Sequence, residues 1–226
     1  MNTVLLTTYI SIFVQLITGI IDIHALTLPL PPEHAILNPI LKIEFIVQTV
    51  ELAFYIWFVL SHIAVSSMAA ARYFDWIFTT PVMLFTTIVF LKYKEHIEKK
   101  DPNHITVQQF IRDNRSNITI IFLANLTMLI FGYLGEIGII SRPFAFGAGF
   151  VGFAVSFSVI YNEYARKSQQ GKRLFVFLLG IWSLYGFAFL LDPAAKNITF
   201  NFLDIVAKNF FGLYLVYVIY KVKGML

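Results

Sequence analysis

The stretch NITFNFLDIVAKNFFGLYLVYVIY, residues 197–220, decides how this chain is read. At ~1.5 Å per residue, a helix of this length crosses a ~30 Å hydrocarbon layer. Its apolar run is broken near the middle by Asp204 and Lys208, four residues apart and so on one helix face. A lysine at bilayer depth costs at least ~2.5 kcal/mol, so it needs a partner or a task. This stretch alone leaves two readings open. One is a structural ion pair facing the interior of a bundle. The other is an amine held in an apolar pocket, ready to form a Schiff base with a carbonyl ligand.

The rest of the chain sets the context. Of its 226 residues, 58% are hydrophobic and 13% charged, about half the charge of a soluble domain. Mean hydropathy is +0.74, and the expectation is one integral membrane domain over residues 1–226. There is no cysteine, which removes disulfides, thiolate metal sites and thiol nucleophiles. The five histidines form no metal-ligand spacing and flank apolar runs, so no metal site is expected. No Ser/His, His/Glu or paired-Asp motif falls on facing helices, which argues against a membrane enzyme.

Apolar runs between polar breaks predict seven spans, near 3–28, 37–62, 67–92, 115–140, 143–165, 172–191 and 198–220. The first run is too long for a signal-peptide core and lacks a basic leader, so it reads as a span. The third–fourth loop, the fifth–sixth loop and the C-terminus hold most of the lysines and arginines; the opposite side holds only Arg142 and Lys196. The positive-inside rule therefore predicts an extracellular N-terminus and a cytoplasmic C-terminus, as an odd number of spans requires. The +4 formal charge reports orientation and makes no case for nucleic acid. The expected partner is a lipid bilayer, and a homo-oligomer is left open.

Polar residues recur inside the spans at helical spacing. The first span carries Ser11, Gln15, Thr18 and Asp22; the second, Glu44, Gln48, Glu51 and Tyr55; the seventh, Asn197, Asn201, Asp204 and Lys208. Each set steps i, i+4, i+7, i+11, which is one helix face. The third span adds Arg72, Asp75, Thr79 and Thr86. A single stripe could be interhelical glue, worth about 0.6 kcal/mol per bond. Four stripes that include carboxylates at Glu44, Glu51, Asp75 and Asp204 suggest that spans one, two, three and seven enclose a hydrated, cation-friendly route.

The third span reads ARYFDWIFTTPVMLF, residues 71–85, and resembles the third helix of microbial rhodopsins, Arg-Tyr-x-Asp-Trp-x-x-Thr-Thr-Pro. LDIVAK at 203–208 resembles their retinal-lysine motif, WSLYGFAF at 182–189 their aromatic pocket wall, and MLIFG ending at Gly132 their fourth helix. The resemblance implies an all-α bundle of seven transmembrane helices carrying retinal on Lys208 as a protonated Schiff base. Asp75 and Asp204 would be the counterions, with Arg72 moderating both. Trp76 and Trp182 would sandwich the polyene, lined by Thr80, Met128, Gly132, Tyr185, Phe189 and Ala207. Gly132 would leave room for the ionone ring.

Departures from the pattern bear on activity. Where proton pumps of this family carry a second acid, eleven residues after Asp75, stands Thr86; where they carry an outer acid, eight residues before Asp204, stands Lys196. Gly186 replaces the pocket proline and Phe189 a tryptophan. Asp75 keeps a carboxylate where a chloride pump would bind its anion. The acidic second span resembles channelrhodopsins, and the whole is similar to the channel-forming viral rhodopsins of giant algal viruses. That implies a light-gated channel for monovalent cations, with an inefficient outward proton pump or a photosensor as alternatives. Ser11, Gln15, Glu44, Gln48, Glu51, Tyr55, Thr79, Asn197 and Asn201 would line the route. Glu51→Gln is then expected to alter conductance with the absorption maximum nearly fixed, and Asp75→Asn to shift colour. Asn197-Ile-Thr also forms a glycosylation sequon, read as structural.

Overall fold

The computed structural model describes residues 3–100 and 105–226. Its helices are α1 (Thr3–Leu26), α2 (Leu37–Leu60), α3 (Val65–Lys99), the short α4 (Val107–Asp113), α5 (Arg115–Glu136), α6 (Arg142–Glu163), α7 (Gln169–Phe189), α8 (Pro193–Asp204) and α9 (Phe210–Val222). A π-helical turn, Ile205–Asn209, joins α8 to α9, so these three pieces form one seventh span. Seven spans long and apolar enough to cross a membrane result. The chain is an integral, multi-pass membrane protein of the all-helical type foreseen.

Local chemistry sets the boundaries. Asp192 accepts hydrogen bonds from the amides of Ala194 and Ala195, and Pro193 fills the first position of α8. Ser168 caps α7 by accepting from Gly171 N, and Thr106 caps α4 through Gln109 N. The faint break between the second and third spans is real: the backbone turns at His62, whose φ is +49°. The predicted end of the third span at 92 is too early, because α3 runs to Lys99. Glu95 accepts from Lys92 and Lys99, at i−3 and i+4, so charges that read as a loop stabilise about two further turns of helix. Part of the predicted break, 101–104, lies outside the described residues.

Phe13, Ile20, Phe78, Leu123 and Val176 are each more than half exposed, an outer apolar surface that suits lipid. Inside, α1 packs on α2 and the seventh span, α2 on α3, α3 on α5 and α8, and α7 on α8. The largest apolar cluster, including Leu37, Ile40, Leu41, Ile88, Leu215 and Ile219, fills the end of the bundle reached by the C-terminus. Every polar stripe residue quoted above is buried. The stripes therefore face one another across the interior, which is how the fold brings the site together.

Candidate functional site

Lys208 lies in the π turn, where the Phe210 amide bonds Ile205 O, an i→i+5 link. Such turns insert one extra residue into a helix and recur at functional sites. The Lys208 side chain is 3% exposed, and Nζ donates to Asp75 Oδ2 at 3.0 Å. Glu51 Oε1 stands 3.8 Å away and Asp204 Oδ1 3.9 Å away. One buried cation thus faces three carboxylates.

Each carboxylate is held differently. Asp204 accepts from Tyr55 at 2.6 Å, Tyr185 at 2.7 Å and Arg72 Nη1 at 3.0 Å. Arg72 also donates to the Tyr55 hydroxyl, to Asn201 Oδ1 and to Asn197 Oδ1 at 3.3 Å, and lies over the rings of Tyr55, Phe58 and Phe200. Among the described residues Arg72 makes no hydrogen bond to Asp75, so its balancing of two acids is direct only at Asp204. Glu51 accepts no hydrogen bond at either oxygen, and Asp75 Oδ1 accepts none. The sequence reading kept Glu51 away from the lysine; the structure places it beside the amine. This proximity weighs against the expectation that Glu51→Gln would leave colour fixed, since a charge this near the cation acts on it.

A cavity opens from Lys208 between α3, α5, α6, α7 and the seventh span. Its volume is about 100 Å³ on the measure by which one water needs about 10–15 Å³, so it suits an elongated ligand better than a lone water. Trp76, Thr80, Met128, Gly132, Trp182, Tyr185, Phe189 and Ala207, the pocket residues named from the sequence, all line it. The sequence missed Phe146, Phe150 and Phe153 on α6, because that span carries no polar stripe to orient it, only Ser156 and Ser158 near one end. Gly132, which lines the cavity, also admits a tyrosine from α3: a Cβ there would lie 2.5 Å from the Tyr73 hydroxyl. Asn125 Nδ2 donates to Thr80 Oγ1 at 2.9 Å, and the Thr79 hydroxyl turns back to Asp75 O.

A lysine in an apolar, aromatic cavity with carboxylates at its tip fits a long apolar aldehyde joined to that amine. Residues 3–222 match the family described as Bacteriorhodopsin-like protein. The chain belongs to the bacteriorhodopsin-like family. No curated protein sequence matches it. Among solved structures, this bacteriorhodopsin-like chain is similar to the viral rhodopsin OLPVRII, at 24% identity and TM-score 0.81, covering 97% of this chain and 98% of the other. It is similar also to a blue light-absorbing proteorhodopsin from Med12 (18%, TM-score 0.73, 98% of each chain). Halorhodopsin, a light-driven chloride pump, shares the fold at 14% identity and TM-score 0.72, covering 98% and 97%. Members of the bacteriorhodopsin-like family bind retinal, and the cavity chemistry fits that group.

The residues read as an ion route form a buried column beside the lysine. Gln48 Nε2 donates to Gln15 O and Thr18 Oγ1, both at 2.6 Å, and Gln15 Nε2 to Ser11 at 3.1 Å. Asn201 Nδ2 donates to Thr7 and Thr8. Asn197 is fully buried and donates to Val65 O and Pro193 O, so its sequon is structural. The Thr86 hydroxyl bonds Glu44 Oε1. Lys196, where an outer acid was missed, is fully buried and paired with Glu136 at 2.7 and 2.9 Å. Sequence spacing could not join them, since Glu136 closes a different helix.

Proposed function

We propose that this chain binds retinal at Lys208 and is a light-gated channel for monovalent cations, with its N-terminus outside the cell. Glu51 carries the reading. It is completely buried, 3.8 Å from Lys208, with no hydrogen bond to either oxygen, in line with Ser11, Gln15 and Gln48. A carboxylate left so short of donors is costly unless it serves water or a cation.

Bound at Lys208, retinal would supply a change of shape driven by light and a positive charge at Nζ. Trp76, Trp182, Met128 and Phe189 exclude water around it. Asp75, the acid nearest Nζ, balances that charge and accepts its proton. Tyr55, Tyr185 and Arg72 fix Asp204 in place. With Nζ neutral, the barrier that one buried cation raises against another falls, and Asp75 and Glu51 favour a passing cation.

One contact favours a second reading, an outward proton pump of low efficiency. The Thr86–Glu44 bond puts an acid from α2 at the level where α3 carries none. Whole-cell currents under illumination, at several voltages and with retinal supplied, separate the two. Current that reverses near the cation equilibrium potential supports the channel. Outward current that keeps its sign at every voltage supports the pump. A coloured, membrane-localised protein without current leaves a photosensor.

A further inference from the structure

Beyond the lysine, toward the C-terminal end, lies a second buried cluster that the retinal site does not use. Asp22 on α1 is 1% exposed, its Oδ1 accepts no hydrogen bond, and its carboxylate rests against Gly212 of α9. Asn209, three residues before Gly212 and so on the same face, is fully buried, and neither its amide oxygen nor its nitrogen finds a partner within the chain. α1 packs against both the π turn and α9, which brings Asp22 and Asn209 to the same interface. α2, which carries Glu44, packs along α1, which carries Asp22, and Gln15 on α1 keeps a free Oε1.

A carboxyl this buried either keeps its proton or, ionised, needs a compensating cation. Among the described residues, none of the ion pairs includes Asp22 or Glu44; Lys208 acts on Glu44 from beyond ion-pair distance. What the cluster offers is unpaired oxygen from carboxylate and amide, the hard donors that suit alkali cations. Among the described residues no group of three acidic, His or Cys side chains is arranged to hold a metal ion, which disfavours a divalent ion. The π turn explains Asn209: its extra residue lets this side chain, directly after Lys208, also face the interior.

We infer that Asp22, Asn209 and Glu44 form a monovalent-cation site in the dark protein, distinct from the carboxylates around Lys208. The site extends the polar column of the proposed route and does not require that the route conducts. Sodium held there compensates Asp22, which no cation among the described residues pairs with, and adds to the Thr86 hydroxyl's bond at Glu44.

The test is infrared difference spectroscopy on the purified chain in lipid nanodiscs, in the dark, with sodium exchanged for N-methyl-D-glucamine at equal ionic strength. A saturable carboxylate-stretch change with sodium is expected. Asp22→Asn should abolish it, and Asn209→Ala should weaken sodium at least tenfold. No sodium-dependent band in the wild-type protein overturns the site, as does a band that survives Asp22→Asn in a coloured, folded variant. If a variant fails to fold, the wild-type exchange, repeated as a melting-temperature shift with and without retinal, still decides. Sodium binding without photocurrent removes the channel and keeps the site; photocurrent without sodium binding does the reverse.

Discussion

The two halves of this bundle handle buried charge in opposite ways. Toward the end that carries Thr3, each cation meets its anion: Arg72 with Asp204 at 3.0 Å, Lys196 with Glu136 at 2.7 Å. Toward the other end only Glu95, at the rim, keeps lysine partners among the buried acids of the described residues; Asp22 and Glu44, deeper in, sit without an ion-pair partner under the largest apolar cluster. Lys208 marks the boundary, with Asp75 at 3.0 Å. One half is closed by charge and the other by packing. The closures should yield to different perturbations: the first to losing a charge, the second to helix movement or a captured cation.

The sharpest way to break this contrast is Glu136→Gln. It leaves the Lys196 amine buried beside an amide, and removing one partner of a buried pair costs about 3–5 kcal/mol. Thermal unfolding in detergent should show a larger loss than Glu51→Gln, Thr86→Val or Asp22→Asn produces. The double replacement Lys196→Met with Glu136→Leu should recover most of it, because apolar side chains of similar volume need no partner. Recovery absent, the pair has a role beyond compensating itself.

Colour sharpens the boundary. An anion beside Nζ stabilises the ground state, in which positive charge is localised there, so removing it lowers the excitation energy. Asp75→Asn should shift the absorption of the retinal-loaded protein to the red. Glu51→Gln should shift it the same way and by less, since at fixed dielectric its attraction at 3.8 Å is about four-fifths that at 3.0 Å. Asp22→Asn should leave the maximum in place. A Glu51→Gln protein of unchanged colour would return Glu51 to the route alone.

The sequence made the repeated face legible because helix periodicity needs only spacing: Ser11 to Asp22, Glu44 to Tyr55 and Asn197 to Lys208 are all buried as it requires. The pocket residues were legible through the family motif, in particular Trp76 and Trp182. What spacing could not give is which stripe residue meets which. Glu51 against Lys208, Thr86 against Glu44 and Lys196 against Glu136 join helices whose rotation and depth are set by packing. The π turn was hidden for a related reason. Asp204 and Lys208 share a face in a regular helix, so nothing in their spacing announced the extra residue that exposes Asn209 to the interior.

A smaller effect is expected at Thr86→Val. The substitution keeps the volume and removes the hydroxyl that donates to Glu44, leaving a buried acceptor short of a donor at about 1–3 kcal/mol. Equilibrium unfolding measures the loss. In photocurrent recordings the same variant separates the two functional readings: slower recovery with unaltered passive current points to Glu44 as a proton source, and a changed current–voltage relation points to the route.

The least destabilising change should be Asp22→Asn, and it tests the contrast most directly. In the half closed by charge, deleting an acid strands a cation; here it strands none, because no cation among the described residues pairs with Asp22. With N-methyl-D-glucamine as the only cation, the neutral amide relieves an uncompensated acid, so the variant should melt at or above the wild-type temperature. Sodium should raise the wild type by RT ln(1 + [Na⁺]/Kd) and leave the variant nearly unmoved, so their order converges or reverses as sodium rises. A loss as large as that of Glu136→Gln in both salts would mean that Asp22 is held by a partner after all, and that the two halves follow one rule.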